Sequence, residues 1–320
     1  MPDLCRCRDM ISISRPKGYA MYRLIVLCII TAMLSACQSV QHRSTDAMEV
    51  KKVGVNGIEL SYVEEGKGET VVFVHGASGD WRTWEGLRPI MSNKYHYVAL
   101  SRRYHYPNAW TDDGTNYTMT QHVEDVATFI RNLNAGKVHL VGASWGGRVA
   151  GYLVHKYPEL VRSVILSDPA LIAPVSADGK AALVAYQKDV GKSREAAKKG
   201  DARQAAILLY DAVQDEPGAF DKAPPVQQQR FLDNAKTLSP MYTGAAPAPV
   251  TCEQLAAIKV PVLVMSGEKT RAIFRYGNER LINCLPKGMS TAMIPNSPHM
   301  WYPINPTGGA EAILAFIAKH

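Results

Sequence analysis

With 320 residues, of which 47% are hydrophobic and 20% charged, the chain can bury a substantial core, and its composition excludes a fibrous or generally disordered polymer. A formal net charge of +7 invites a nucleic-acid partner, but residues 1–36 carry five bases and two acids, which leaves +4 on the other 284 residues. Those remaining bases are scattered, as on a solvated surface, so no nucleic acid is expected.

The first element is an address rather than a fold. Residues 1–20 look like an extended start, with Met21 as the working initiator. Met21-Tyr22-Arg23, the apolar run Leu24–Leu34 and the small pair Ser35-Ala36 have the layout of a secretory signal, too short to span a bilayer comfortably. Leu34-Ser35-Ala36-Cys37 resembles the lipobox of bacterial lipoproteins. That resemblance implies cleavage after residue 36, lipid on Cys37 and a membrane-anchored domain. Gln38 stands where an Asp would signal inner-membrane retention, so the outer membrane facing the periplasm is the expected location. Residues 37–49 then read as the lipidated cysteine and a polar tether. Of the six cysteines, only Cys252 and Cys284 remain in the folded part, either as a disulfide, which that compartment permits, or as two buried thiols. No cysteine or histidine cluster has metal-ligand spacing, and neither metal nor cofactor is expected.

From residue 50 the pattern turns to strand. Asn56-Gly57 between Val50–Val55 and Ile58–Val63 predicts a hairpin. Apolar runs follow at 70–75, 96–100, 137–143, 162–167, 260–266 and 290–294. Helical stretches are expected at 81–92, 118–133 and 145–157, the second opened by a capping box of Thr118 and Gln121. Apolar strands alternating with helices predict a doubly wound, mostly parallel α/β sheet. The alternation stops at 171–251, rich in Ala, Gln and Lys, which reads as an inserted helical lid. The core is thus expected in two parts, 50–170 and 252–320, ending in an amphipathic helix over 309–319.

Gly142-Ala143-Ser144-Trp145-Gly146 matches G-x-S-x-G between an apolar strand and a helical stretch. A sharp strand-to-helix turn needs glycines around a nucleophile in a strained conformation, and it places the Trp145 N–H at a positive helix N-terminus. Together with Val74-His75-Gly76-Ala77, this chain resembles the α/β-hydrolase family from about residue 50 to 320. The resemblance implies Ser144 as nucleophile and the N–H groups of Ala77 and Trp145 as oxyanion donors, with His75 shaping the loop. The basic segment Ser101–Pro107 departs from the family's glycine-containing loop and is read as either lining the pocket or facing solvent.

In this fold the triad runs Ser, acid, His. Only His155, His299 and His320 follow Ser144. His155 sits in the helix behind the serine and His320 is terminal, so His299 is the expected base. The acid is harder. Thr270 occupies the family's usual Asp position, three residues after Gly267. Asp168, at the end of the preceding strand, is preferred, and Glu268 is the alternative. The expected activity is cofactor-free hydrolysis of a small ester, lactone or thioester through an acyl-enzyme. C–C bond hydrolysis, perhydrolysis and a non-catalytic binding lipoprotein remain as rivals. A serine at 144 argues against a dehalogenase or epoxide hydrolase, both of which need a carboxylate there.

Overall fold

Strand β1 (Lys51–Val55) turns on Asn56-Gly57 into β2 (Ile58–Glu65), with Val55 paired directly to Ile58. Both turn residues have positive φ, 41° and 81°, a two-residue turn whose twist matches that of the strands. The computed structural model describes residues 48–244 and 250–320. Cys37 and the whole signal segment therefore lie outside the described residues. Residues 49–320 form one compact unit, and no helix among the described residues is long and apolar enough to cross a membrane.

The remaining strands are β3 (Thr70–Val74), β4 (His96–Leu100), β5 (Val138–Ala143), β6 (Val161–Ser167), β7 (Val262–Gly267) and β8 (Ser290–Ile294). They make one eight-stranded sheet in the order β1-β2-β4-β3-β5-β6-β7-β8. β1–β2 and β2–β4 pair antiparallel, and every pairing from β4 through β3 to β8 is parallel. The central strands β3 and β5 are buried at every position, which is why they read as unbroken apolar runs.

Helix α1 (Met119–Asn132) starts where the sequence places it. The Thr118 side chain accepts from the Gln121 N–H, but the Gln121 amide donates to Asp125 at 2.8 Å, so only half of the expected capping box forms. Asp125 also receives both arms of Arg103, at 2.6 and 2.9 Å, and the Asn56 amide at 2.9 Å. This buried cluster ties the hairpin turn to α1. The expected helix over 81–92 is instead a 3₁₀ turn, Trp81–Trp84, and one helical turn, Arg88–Met91. Pro89 lacks the N–H that a continuous helix would use there.

Helix α2 (Trp145–Lys156) follows β5. Between β6 and β7 lie α3 (Ala177–Lys198), α4 (Ala202–Gln214), α5 (Pro225–Asp233) and α6 (Leu238–Thr243). Leu209, Tyr210, Phe220, Phe231 and Leu238 bury a second apolar cluster there, which extends to Ile273, Phe274 and Met300 beside the sheet. The helical insertion is fastened to the β3–β4 side by Asn234, whose amide donates to Asp80 at 2.7 Å and whose carbonyl accepts from the Tyr106 N–H at 2.8 Å. Of the two states open to the cysteines the bonded one is found: Cys252 and Cys284 form a disulfide. Helices α7 (Ala272–Cys284) and α8 (Pro306–Ile317) complete the chain.

Candidate active site

The side chains singled out in the sequence gather at the carboxyl ends of the parallel strands, where open α/β sheets bind ligands. Ser144 ends β5 and heads α2 with φ 52° and ψ −119°, a conformation that costs a non-glycine residue about 1–3 kcal/mol and persists because its surroundings over-determine it. Part of that constraint is Gly146. A Cβ there would stand 2.3 Å from the Val74 carbonyl oxygen and 2.4 Å from that of His75, so only glycine lets α2 close onto the end of β3. The Ser144 N–H donates to the Ser167 carbonyl at 2.8 Å, which pins the serine backbone to the residue next to Asp168.

Asp168 ends β6, is fully buried, and has φ 40°. Its Oδ2 accepts from His299 Nδ1–H at 3.2 Å and from the Thr270 hydroxyl at 2.8 Å, while Oδ1 accepts from the Asn278 amide at 2.7 Å. With Nδ1 donating, Nε2 of His299 carries the free lone pair. The imidazole ring stacks on Phe274, with centroids 3.8 Å apart and planes inclined by 15°. Phe274 and Asn278 are four residues apart on α7 and so share one face, which orients histidine and carboxylate together. The histidine loop itself is seated by Gly267, where a Cβ would meet the Pro298 and Ser297 carbonyl oxygens at 2.2 and 2.3 Å. Glu268 is not part of this group: it is exposed and accepts the Asn296 N–H at 2.7 Å.

Ala77, Ser144 and Trp145 line one cavity of about 340 Å³. Behind it, the first part of the segment 101–107 is buried without lining the cavity, and the end of it faces solvent. Arg102 is 1% exposed and its guanidinium donates to the His75 carbonyl at 3.2 Å and the Gly76 carbonyl at 2.9 Å, lying 4.5 Å over the Trp145 ring. The Arg102 N–H in turn donates to His75 Nε2 at 3.0 Å, leaving Nδ1–H of that ring to the Gly76 carbonyl at 2.8 Å. Burial, and then the charge of Arg102, hold His75 well below the usual histidine range, so it is a neutral brace of the loop. Tyr106, by contrast, is exposed.

A family model for the alpha/beta hydrolase fold matches residues 69–306. This chain belongs to that family. Among curated relatives, a 2-(acetamidomethylene)succinate hydrolase of Mesorhizobium japonicum is 31% identical over 125 residues, 39% of this chain and 44% of the relative. A 2-hydroxy-6-oxo-6-(2'-aminophenyl)hexa-2,4-dienoic acid hydrolase of Metapseudomonas resinovorans is 28% identical over 142 residues, 43% of this chain and 48% of the relative. The chain thus spans under half the length of these two relatives. Among solved structures, a thermophilic esterase from Thermogutta terrifontis superposes with a TM-score of 0.68 at 21% identity, over 85% of this chain and 98% of the esterase.

Proposed function

We propose that this hydrolase cleaves a carboxylic ester or related acyl bond through Ser144, His299 and Asp168. The observation that carries the reading is the clasped Asp168–His299 pair, joined through Ser167 to the backbone of a serine held at φ 52° on a cavity wall. His299 Nε2 takes the hydroxyl proton as Ser144 Oγ bonds the acyl carbon, and Asp168 stabilises the imidazolium. The N–H groups of Ala77 and Trp145 receive the oxyanion, each contributing about 3 kcal/mol to the transition state. Collapse breaks the bond to the leaving group, which departs with the proton. Water, deprotonated by the same histidine, then frees the acid and restores the serine.

Fluorophosphonate will label the wild type and not Ser144→Ala, read by intact-protein mass. An unlabelled wild type would overturn the reading and favour a binding protein on the same fold. C–C bond hydrolysis by the same residues is the second reading, favoured by the likeness to the dienoic acid hydrolase. A set of esters run beside a β-diketone separates the two. The helices of 171–251 act as the lid in this reading, since Tyr186, Leu209 and Met241 share the cavity with Ser144.

The leader implies delivery across the inner membrane and lipid on Cys37. Cys37→Ser will move the full chain from the membrane pellet to the soluble fraction. Unchanged sedimentation with membranes would remove the anchor from the proposal.

A further inference from the structure

The cavity in front of Ser144 is lined by two arginines, Arg148 and Arg194, and by the phenol rings of Tyr117, Tyr186 and Tyr242, with no Asp or Glu among its lining residues. Arg148 lies four residues after Ser144 on α2 and therefore projects from the same face of the helix one turn behind the serine. It is only partly accessible, and its Nε has no hydrogen-bond partner. Its electrostatic neighbours are the hydroxyls of Tyr152 and Tyr186, and burial lowers its affinity for its proton. Arg194 enters from α3, the opposite wall, with its guanidinium 5.6 Å from the Tyr242 ring centre.

The three buried arginines among the described residues are accounted for. Arg103 grips Asp125 and Arg271 grips Asp189 and Asp215, while Arg102 is satisfied by two backbone carbonyls. Among the described residues, Arg148 has no acid among its electrostatic neighbours, and Arg194 feels only its chain neighbour Glu195, which is paired with Lys198. A half-buried guanidinium with an unused donor is costly unless an anion completes it, and a planar carboxylate matches its fork.

We infer that the substrate is a small acyl compound with a free carboxylate, held by Arg148 and Arg194 while its acyl carbon faces Ser144. This rests on Ser144 being the nucleophile. About 340 Å³ is near the lower end of ligand pockets, which suits a short dicarboxylic hemi-ester better than a long acyl chain.

The test compares nitrophenyl hemi-glutarate with nitrophenyl valerate, which has the same acyl length and no charge. The wild type will prefer the hemi-ester in kcat/KM by about tenfold or more. Arg148→Gln will cut that preference ratio at least about tenfold, mainly through KM, and Arg148→Lys will restore part of it. Arg194→Gln, at an exposed position, will lower it less. Equal use of both esters by the wild type, or a ratio unmoved by Arg148→Gln, would overturn the inference while leaving the hydrolase reading intact. If neither ester turns over and fluorophosphonate fails to label, it is the hydrolase reading that falls. Calorimetry of glutarate on Ser144→Ala then decides the anion site alone: binding that weakens about tenfold on adding Arg148→Gln supports it, and no binding overturns it.

Discussion

Asp168→Asn will lower kcat by about 10⁴-fold, whereas Glu268→Gln will leave it within about twofold. The carboxylate that holds His299 accepts three hydrogen bonds, from His299, Thr270 and Asn278, and a carboxylate is an acceptor at every one of them. An asparagine in its place must turn an NH₂ group toward one of these partners. Either it faces the Asn278 amide, donor against donor, or it faces Nδ1 of His299 and selects the tautomer with the proton on Nε2. The second arrangement removes the base from the proposed reaction, and the first strains the whole clasp. Glu268 meets only the Asn296 N–H at an exposed position, so its amide keeps the same bond and the site feels nothing. Thr270→Val removes one charge-assisted bond to Asp168 and will cost about tenfold. Steady-state kinetics on a nitrophenyl ester, with urea titrations to show that each variant is folded, check all three. If Glu268→Gln alone loses orders of magnitude, the carboxylate assignment is wrong.

The strand pattern, the Asn56-Gly57 hairpin and the place of Ser144 were legible because each is a local signal: apolar period, turn chemistry, glycine spacing. The pairing of Asp168 with His299 was reachable through chain order and the absence of an acid at Thr270. What chain order could not give was the reason that position tolerates a threonine. Thr270 donates to Asp168 across 102 residues of sequence, and Asn278 across 110, and only the β6–β7 pairing makes them neighbours. The burial of residues 101–105 is hidden from the sequence for a related reason. Arginine is a surface residue by composition, and nothing local announces that the His75 and Gly76 carbonyls and the face of Trp145 will enclose Arg102. The continuous helix expected over 81–92 is interrupted at Pro89, whose missing N–H is visible in the sequence. The cavity arginines were illegible as a pair, since one belongs to the elbow helix and the other to the insertion.

The surroundings of Arg102 lead to the second large effect: between pH 7.5 and 5.5 the protein will lose about 4 kcal/mol of unfolding free energy. His75, His105 and His122 are fully buried around this permanent charge. Burial first, then the field of Arg102, holds all three well below the ordinary histidine value of 6.5. His105 is committed to the Gly79 carbonyl at 2.7 Å and the Tyr117 hydroxyl at 3.1 Å, and its ring lies 4.5 Å from that of His75. His122 has no hydrogen-bond partner on either nitrogen and meets the rings of Tyr117 and Trp145 edge to face at 4.4 and 4.8 Å. The unfolded chain binds protons near 6.5 and the folded chain does not, so stability rises with pH and is lost as pH falls below 6.5. Each histidine then contributes up to about 1.4 kcal/mol per pH unit, and three give the figure above. Urea unfolding followed by tryptophan fluorescence at the two pH values measures it, and His122→Leu will remove about a third of the difference. A stability that is flat from pH 7.5 to 5.5 would mean that these imidazoles titrate freely.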